Sequence, residues 1–289
     1  MLTPTAELAV FQSLWAMEDL PTARTPWTLP EQAARISEAG FAGLAVDLGA
    51  RQAPTAADLA PLLAEHDLAA MVFAFVGDRA GLDSAIEYAH GIGAIRMVVC
   101  AQIYGFDPVP LCETLTDWYE TCRQAGITMQ VETHRNTVTN DLRFTNLLLG
   151  HLDPRIEVAG DLSHFVCANE LPDDPTPEHE ALITAVLERC GSLQGRIATR
   201  GQVQVPLGTP AGAGWERRFR GWWETGFRSI QRRHPGEQIV FCTELGTRPY
   251  AITDVDGNEL SDRWHEALIL KEWAAQAFRA ATEELQEQR

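Results

Sequence analysis

Four short apolar runs in this chain each end in a carboxylate. Residues 43–47 read Gly-Leu-Ala-Val-Asp and residues 127–132 read Ile-Thr-Met-Gln-Val-Glu. Residues 156–161 read Ile-Glu-Val-Ala-Gly-Asp and residues 239–244 read Ile-Val-Phe-Cys-Thr-Glu. A carboxylate at the end of a buried strand needs a partner or an opening, because an unpaired charge in a packed interior is costly. A closed parallel barrel supplies the opening, since all its strands finish at one shared mouth.

The rest of the chain repeats the same grammar. Strands are expected at 10–16, 43–48, 69–76, 95–101, 127–132, 156–161, 196–200 and 239–244, the seventh being the weakest. Between them lie helical stretches at 28–40, 56–66, 82–90, 111–124, 141–149, 178–190 and 215–233, with a last helix starting at a Ser261 cap. Thr28-Leu-Pro-Glu31 has capping-box spacing with a proline in the first turn, and Gly40 and Gly126 are suited to helix ends. Alternation of this kind predicts an α/β fold with a parallel sheet, and eight units predict a (β/α)8 TIM barrel, with 1–289 as a single TIM-barrel domain. An open doubly wound sheet would want a glycine-rich phosphate turn after its first strand, and Trp15-Ala-Met-Glu18 has none. Residues 1–8 read as a lead-in, and 162–177, 201–214 and 245–260 as substrate loops.

Composition narrows the partners. A formal net charge of −17 argues against nucleic acid. No run approaches the ~18 apolar residues of a membrane span. Six scattered cysteines without a CxxC pair fit a reducing cytoplasm. Tryptophans on the late helices suit a homodimer, with one of Trp222 and Trp223 expected in the core and the other half exposed.

Glu132 and Glu244 are the sharpest candidates for chemistry, because each follows an apolar run. Three converging carboxylates, Glu132, Asp161 and Glu244, would repel one another unless a cation lay between them. Such a donor set suits Mn²⁺ or Mg²⁺, with Co²⁺ and Zn²⁺ also compatible. The structural alternative pairs the glutamates with Arg135, Arg200 or Arg248. His134 can orient a carboxylate, donate to a substrate oxygen or satisfy a loop carbonyl; Arg200 and Arg248 can clamp a substrate oxygen. Asp47 is read first as a helix N-cap and second as a substrate contact.

Val131-Glu-Thr-His-Arg135, Gly160-Asp-Leu-Ser-His164-Phe, Val203-Gln-Val-Pro206 and Thr243-Glu-Leu-Gly246 occur in order, three of them at strand ends and Val203-Gln-Val-Pro206 in the loop after strand seven. Together they resemble the xylose isomerase-like TIM barrels, a group of sugar phosphate isomerases and epimerases. The resemblance implies a divalent metal held by Glu, Asp, a strand-seven histidine and Glu. Carried over, Glu132, Asp161 and Glu244 would be ligands, and Glu132 and Glu244 the proton-transferring bases. His164 and Arg200 would touch the sugar. One position departs from the pattern. Ala198 stands where the strand-seven histidine is expected, which leaves Gln204, His164 or a water as the fourth ligand.

The expected activity is a metal-dependent isomerisation or epimerisation of a sugar or sugar-like polyol, by proton transfer between two glutamates. Two alternatives stay open. One is a metal-dependent dehydratase, lyase or hydrolase on the same fold; the other is a sugar-binding protein whose metal site has been lost.

Overall fold

A computed structural model describes residues 6–288. The lead-in expected at 1–8 lies largely outside the described residues, and its last two positions already belong to a strand. Eight parallel strands close into a barrel in sequence order: β1 (Glu7–Ser13), β2 (Gly43–Asp47), β3 (Ala69–Val76), β4 (Arg96–Ala101), β5 (Met129–Glu132), β6 (Glu157–Gly160), β7 (Cys190–Gly195) and β8 (Gln238–Thr243). Closure is made by β8 against β1, with Leu8 beside Ile239 and Gln12 beside Thr243. The helices are α1 (Leu29–Glu38), α2 (Ala56–Glu65), α3 (Arg79–Gly91), α4 (Pro108–Gln124), α5 (Leu142–His151), α6 (Leu162–Ala168), α7 (Pro177–Leu187), α8 (Ala213–Arg233) and α9 (Arg263–Glu287).

The period-two alternation of each strand splits the core in two. Phe11, Ala45, Met71, Phe73, Val98, Ala159, Val240 and Cys242 fill the barrel interior, while a larger apolar layer lies between strands and helices. The helix ends follow local chemistry. The Thr28 side chain accepts from Glu31 N–H, and the Glu31 carboxylate accepts from Thr28 N–H at 2.8 Å, which completes the capping box. Gly40 and Gly126 take the left-handed conformation, at φ +68° and +75°. The last helix is capped by Asp262 and not by Ser261, whose hydroxyl bonds to Glu266 instead.

The seventh strand is displaced from its expected place. It runs from Cys190 to Gly195, and the stretch 196–200 expected to be strand is its exit. The sequence Cys-Gly-Ser-Leu-Gln-Gly lacks an apolar inward face, so its strand character does not show as periodicity. Its polar groups are met across the barrel: Ser192 Oγ donates to Gln130 Oε1 at 2.6 Å. Gly191 leaves room for two side-chain ends, since a Cβ there would sit 1.9 Å from Glu157 Oε2 and 2.1 Å from Gln130 Nε2. Those groups belong to a floor network at the opposite end from the mouth, in which Arg233 and His234 pair with Glu157 and Arg96 donates to Gly191 C=O.

The α8 tryptophans are both buried. Trp223 is fully enclosed against Phe241, and Trp222 donates its indole N–H to Glu180 Oε2 at 2.7 Å. Neither offers a surface for a second copy. Among the described residues, no helix is long and apolar enough to cross a membrane.

Gly43 is where β2 passes closest to its neighbours: a Cβ there would lie 2.3 Å from the Ala69 carbonyl oxygen and 2.4 Å from the Phe11 ring. The backbone oxygen cannot rotate away. Gly43→Ala is therefore expected to lower stability by at least about 2 kcal/mol in urea unfolding. A loss within about 0.5 kcal/mol would mean that the β1–β2–β3 register is wrong.

Candidate active site at the mouth of the barrel

Glu132 is the last residue of β5, Asp161 follows β6 and Glu244 follows β8, so the strand ends deliver all three to one space. All are buried, and one oxygen from each lies within 4.8 Å of the others. Glu132, His134 and His164 form a second such trio. Glu132 Oε2 accepts from the Cys100 thiol of β4 at 2.7 Å. Asp161 is tied into α6 as its N-cap: Oδ1 accepts from Ser163 N–H at 2.9 Å and from the Ser163 hydroxyl at 2.5 Å. Its other oxygen, Oδ2, faces the mouth.

The residue opposite Oδ2 is Arg196, the first residue past β7. Its Nη2 stands 2.9 Å from Asp161 Oδ2 and 3.4 Å from Glu244 Oε1. The side chain is 1 % exposed, under the rings of Tyr250 (4.9 Å) and Trp15 (5.5 Å). These contacts are ionic rather than aligned hydrogen bonds, and Nε and Nη1 have no protein partner.

The electrostatics follow from burial and crowding. Burial, then the charge of Glu244, pushes the Glu132 carboxyl well above the usual carboxylate range. Burial pushes Glu244 up to about 8, against the pull of Arg196. Burial disfavours the Arg196 charge, yet Asp161 and Glu244 outweigh it and hold the guanidinium more firmly protonated than a free arginine. Burial lowers His134 to about 4, and burial with the neighbouring His134 takes His164 well below the ordinary imidazole value. Both histidines are therefore neutral at pH 7. His134 Nδ1 lies 2.5 Å from the Arg135 carbonyl, which fixes the proton there and leaves Nε2 as an acceptor. His164 stacks 3.9 Å from His134, and its Nε2 lies 3.4 Å from Asp161 Oδ2.

A cavity of about 290 Å³ opens above this cluster, lined by Trp15, Asp47, Phe73, Phe75, Glu132, His134, Arg196, Glu244 and Tyr250. It is small, partly aromatic and has convergent polar groups, the usual form of a small-molecule site.

No protein-family model and no curated protein matches the sequence. Solved structures match its fold. L-ribulose 3-epimerase superposes with a TM-score of 0.62 at 13 % identity, covering 96 % of each chain. D-allulose 3-epimerase from Methylomonas sp. in complex with D-allulose gives 0.58 at 13 % identity over 100 % of both chains. A xylose isomerase-like TIM barrel protein from Mycobacterium smegmatis in complex with magnesium gives 0.56 at 12 % identity, covering 96 % of this chain and 98 % of that one. The fold is that of the xylose isomerase-like TIM barrels.

Within that fold, the structure gathers Glu132, Asp161, Glu244, His134 and His164 at one mouth. It does not gather Arg200 or Gln204. Arg200 is on the surface, 3.6 Å from Glu170, because β7 ends five residues before it. The Gln204 amide is spent on the backbone: Nε2 donates to Gly246 C=O at 3.0 Å, and Oε1 accepts from Gly246 N–H at 2.6 Å. Arg248 pairs with Asp19 on the loop side. Asp47 caps no helix. Its Oδ1 accepts from Gly49 N–H at 2.7 Å, its side chain lines the cavity, and burial raises its pKa to about 6.

Sequence reasoning missed Arg196, Trp15 and Tyr250 as cavity residues. The signal for Arg196 was its place one residue beyond a strand, hidden by the misplaced β7. The buried carboxylates have the spacing to hold a cation, but the guanidinium already lies against two of the three. Ala198 is buried in the apolar layer and brings no donor. With Arg196 in this position, the Glu132, Asp161 and Glu244 trio does not fit a divalent ion.

Burial, and then the nearby carboxylate charge, keeps the Cys100 and Cys242 thiols protonated and pushes both well above the ordinary thiol value. Iodoacetamide on the native protein is expected to label half-buried Cys167 and to spare Cys100 and Cys242, as read by peptide mass spectrometry with and without urea. Fast native labelling of Cys100 would contradict its contact with Glu132.

Proposed function

We propose that the protein is an isomerase or epimerase of a sugar or sugar-like polyol, with Glu132 and Glu244 as its proton carriers. The observation that carries this reading is the pair itself. Two buried carboxyl groups from different strands face one cavity, and burial raises the proton affinity of both. The structural likeness to sugar epimerases supports the substrate class.

The chemistry can be followed atom by atom. A ketose or aldose in its open-chain form lies under Trp15 and Tyr250, with its carbonyl towards the polar wall. One glutamate, as carboxylate, takes the proton from the carbon next to the carbonyl. The bond electrons move into the carbonyl, giving an enolate-like oxygen that must be met by hydrogen-bond donors. The second glutamate, as the acid, returns a proton. Delivery to the opposite face of the same carbon inverts it, and delivery to the former carbonyl carbon moves the carbonyl. His134 and His164, both neutral, accept from and donate to hydroxyls of the chain. Aromatic rings at Trp15, Phe75 and Tyr250 cover the apolar faces of the sugar and exclude water. All six cysteines stand free, which favours a cytoplasmic setting. The alternative, a site loaded with Mn²⁺ or Mg²⁺, has the carboxylate spacing but would need the Arg196 guanidinium to swing away from Asp161 and Glu244.

Incubation in D₂O with a panel of neutral ketoses and aldoses, with and without added Mn²⁺, is expected to place deuterium on a carbon next to the carbonyl. Glu244→Gln and Glu132→Gln should each slow this exchange by about 10²-fold or more, while circular dichroism stays unchanged. Absence of exchange with every sugar tested, under both conditions, removes the reading in favour of a binding protein.

A further inference from the structure

A metal-binding version of this constellation needs its carboxylate oxygens free to face an ion, and here two of the three carboxylates are turned to a guanidinium. Asp161 Oδ2 and Glu244 Oε1 are both turned to the same nitrogen, Arg196 Nη2, at 2.9 and 3.4 Å. We propose that Arg196 is the resident cation of the site: its guanidinium takes the place of a divalent ion between the carboxylates and presents its remaining N–H groups to a substrate oxygen.

Four features support this. The arginine is enclosed, 1 % exposed beneath Trp15 and Tyr250, so it cannot leave for solvent without unpacking both rings. Its position is set by the backbone, since Gly195 before it accepts from Glu244 N–H at 3.1 Å and locks β7 to the exit of β8. Of the neutral ligands expected to complete an ion's coordination, Ala198 lies in the apolar layer and Gln204 is committed to Gly246, which leaves His134 and His164. Finally, Nε and Nη1 are buried and unpartnered on a side chain that lines the cavity. A buried guanidinium with two idle donors is costly unless something accepts from them. A planar donor fork suits a carbonyl oxygen that becomes an oxyanion, or two neighbouring oxygens of an enediolate.

The proposal rests on the carbonyl chemistry of the proposed isomerisation for its substrate, but its cation claim stands apart from that reading. The test is Mn²⁺ titration of the chelator-treated protein, with free Mn²⁺ read by electron paramagnetic resonance. The wild type is expected to take up no stoichiometric Mn²⁺, and its melting temperature is expected to be unmoved by the ion. One ion per wild-type chain overturns the proposal. Arg196→His removes the guanidinium and supplies a neutral ligand, so it should bind one Mn²⁺ per chain and gain melting temperature on binding. A folded Arg196→His that stays metal-free also overturns it. Arg196→Lys, which keeps a cation, should remain metal-free. If Arg196→His does not fold, the wild-type titration decides alone. Lack of deuterium exchange in D₂O would remove the reaction reading and leave the Mn²⁺ result intact.

Discussion

Three carboxyl groups whose oxygens fall within 4.8 Å of one another cannot all be ionised and unpaired in a dry barrel mouth. At an effective dielectric constant of about 20, each such pair would cost about 3 kcal/mol. Three pairs would approach the whole stability of a domain, roughly 5–15 kcal/mol. The structure relieves this in two ways. It sets one guanidinium against Asp161 and Glu244, and it raises the proton affinity of Glu132 and Glu244 so that charge is shed rather than crowded. Each device depends on the other. Without Arg196 the carboxyls would have to bind protons or an external cation; without the carboxyls Arg196 would be an uncompensated buried charge.

The barrel makes this arrangement possible by controlling where backbones stop. Glu132, Asp161, Arg196 and Glu244 each sit at or just past the end of a strand, where alternation ends and the side chain can turn into the mouth. Asp161 is fixed by serving as the N-cap of α6, so one oxygen is spent on Ser163 and the other is free for Arg196. Trp15 is fixed from behind by Gly246, where a Cβ would lie 2.1 Å from its ring. A side chain at 246 would push Trp15 into the cavity and take the roof off the guanidinium. The floor network of Glu157, Arg233, His234 and Gln130 closes the other end. Solvent then reaches the carboxyls from the mouth alone.

Much of this could be read from the chain. Seven of the eight strands show as apolar runs, β1 three residues late, because the side chains they turn towards the helices are apolar. The carboxylates at 132, 161 and 244 were legible because an acid that closes such a run must either find a partner or open onto a cavity. β7 was not legible, and the reason is physical. Its inward Ser192 and its glycines satisfy polar and steric demands made by Gln130, Glu157 and Phe241, partners that are distant in sequence. Misplacing it by six residues turned Arg196 from a strand-end residue into a strand start. That shift also made Arg200 look like the site arginine and Gln204 like a spare ligand. The tryptophans misled for a related reason. Trp222 is polar at one end and finds Glu180, so it reads as a half-exposed residue while lying buried.

An internal guanidinium and a bound divalent ion differ in ways that reach the chemistry. A divalent ion offsets two negative charges and would let both glutamates ionise beside Asp161. Arg196 offsets one, so one more carboxyl must keep its proton than beside a divalent ion. That proton is what a two-carboxyl proton relay needs, because one group must start as base and the other as acid. An ion can also be lost to a chelator and gives up ligands at little steric cost, whereas the guanidinium is covalently held and oriented by Trp15 and Tyr250. Its donors are preorganised, so little reorganisation is needed when charge develops on a substrate oxygen. The exchange trades the stronger polarisation of a divalent ion for a fixed single charge and a built-in difference between two otherwise similar glutamates.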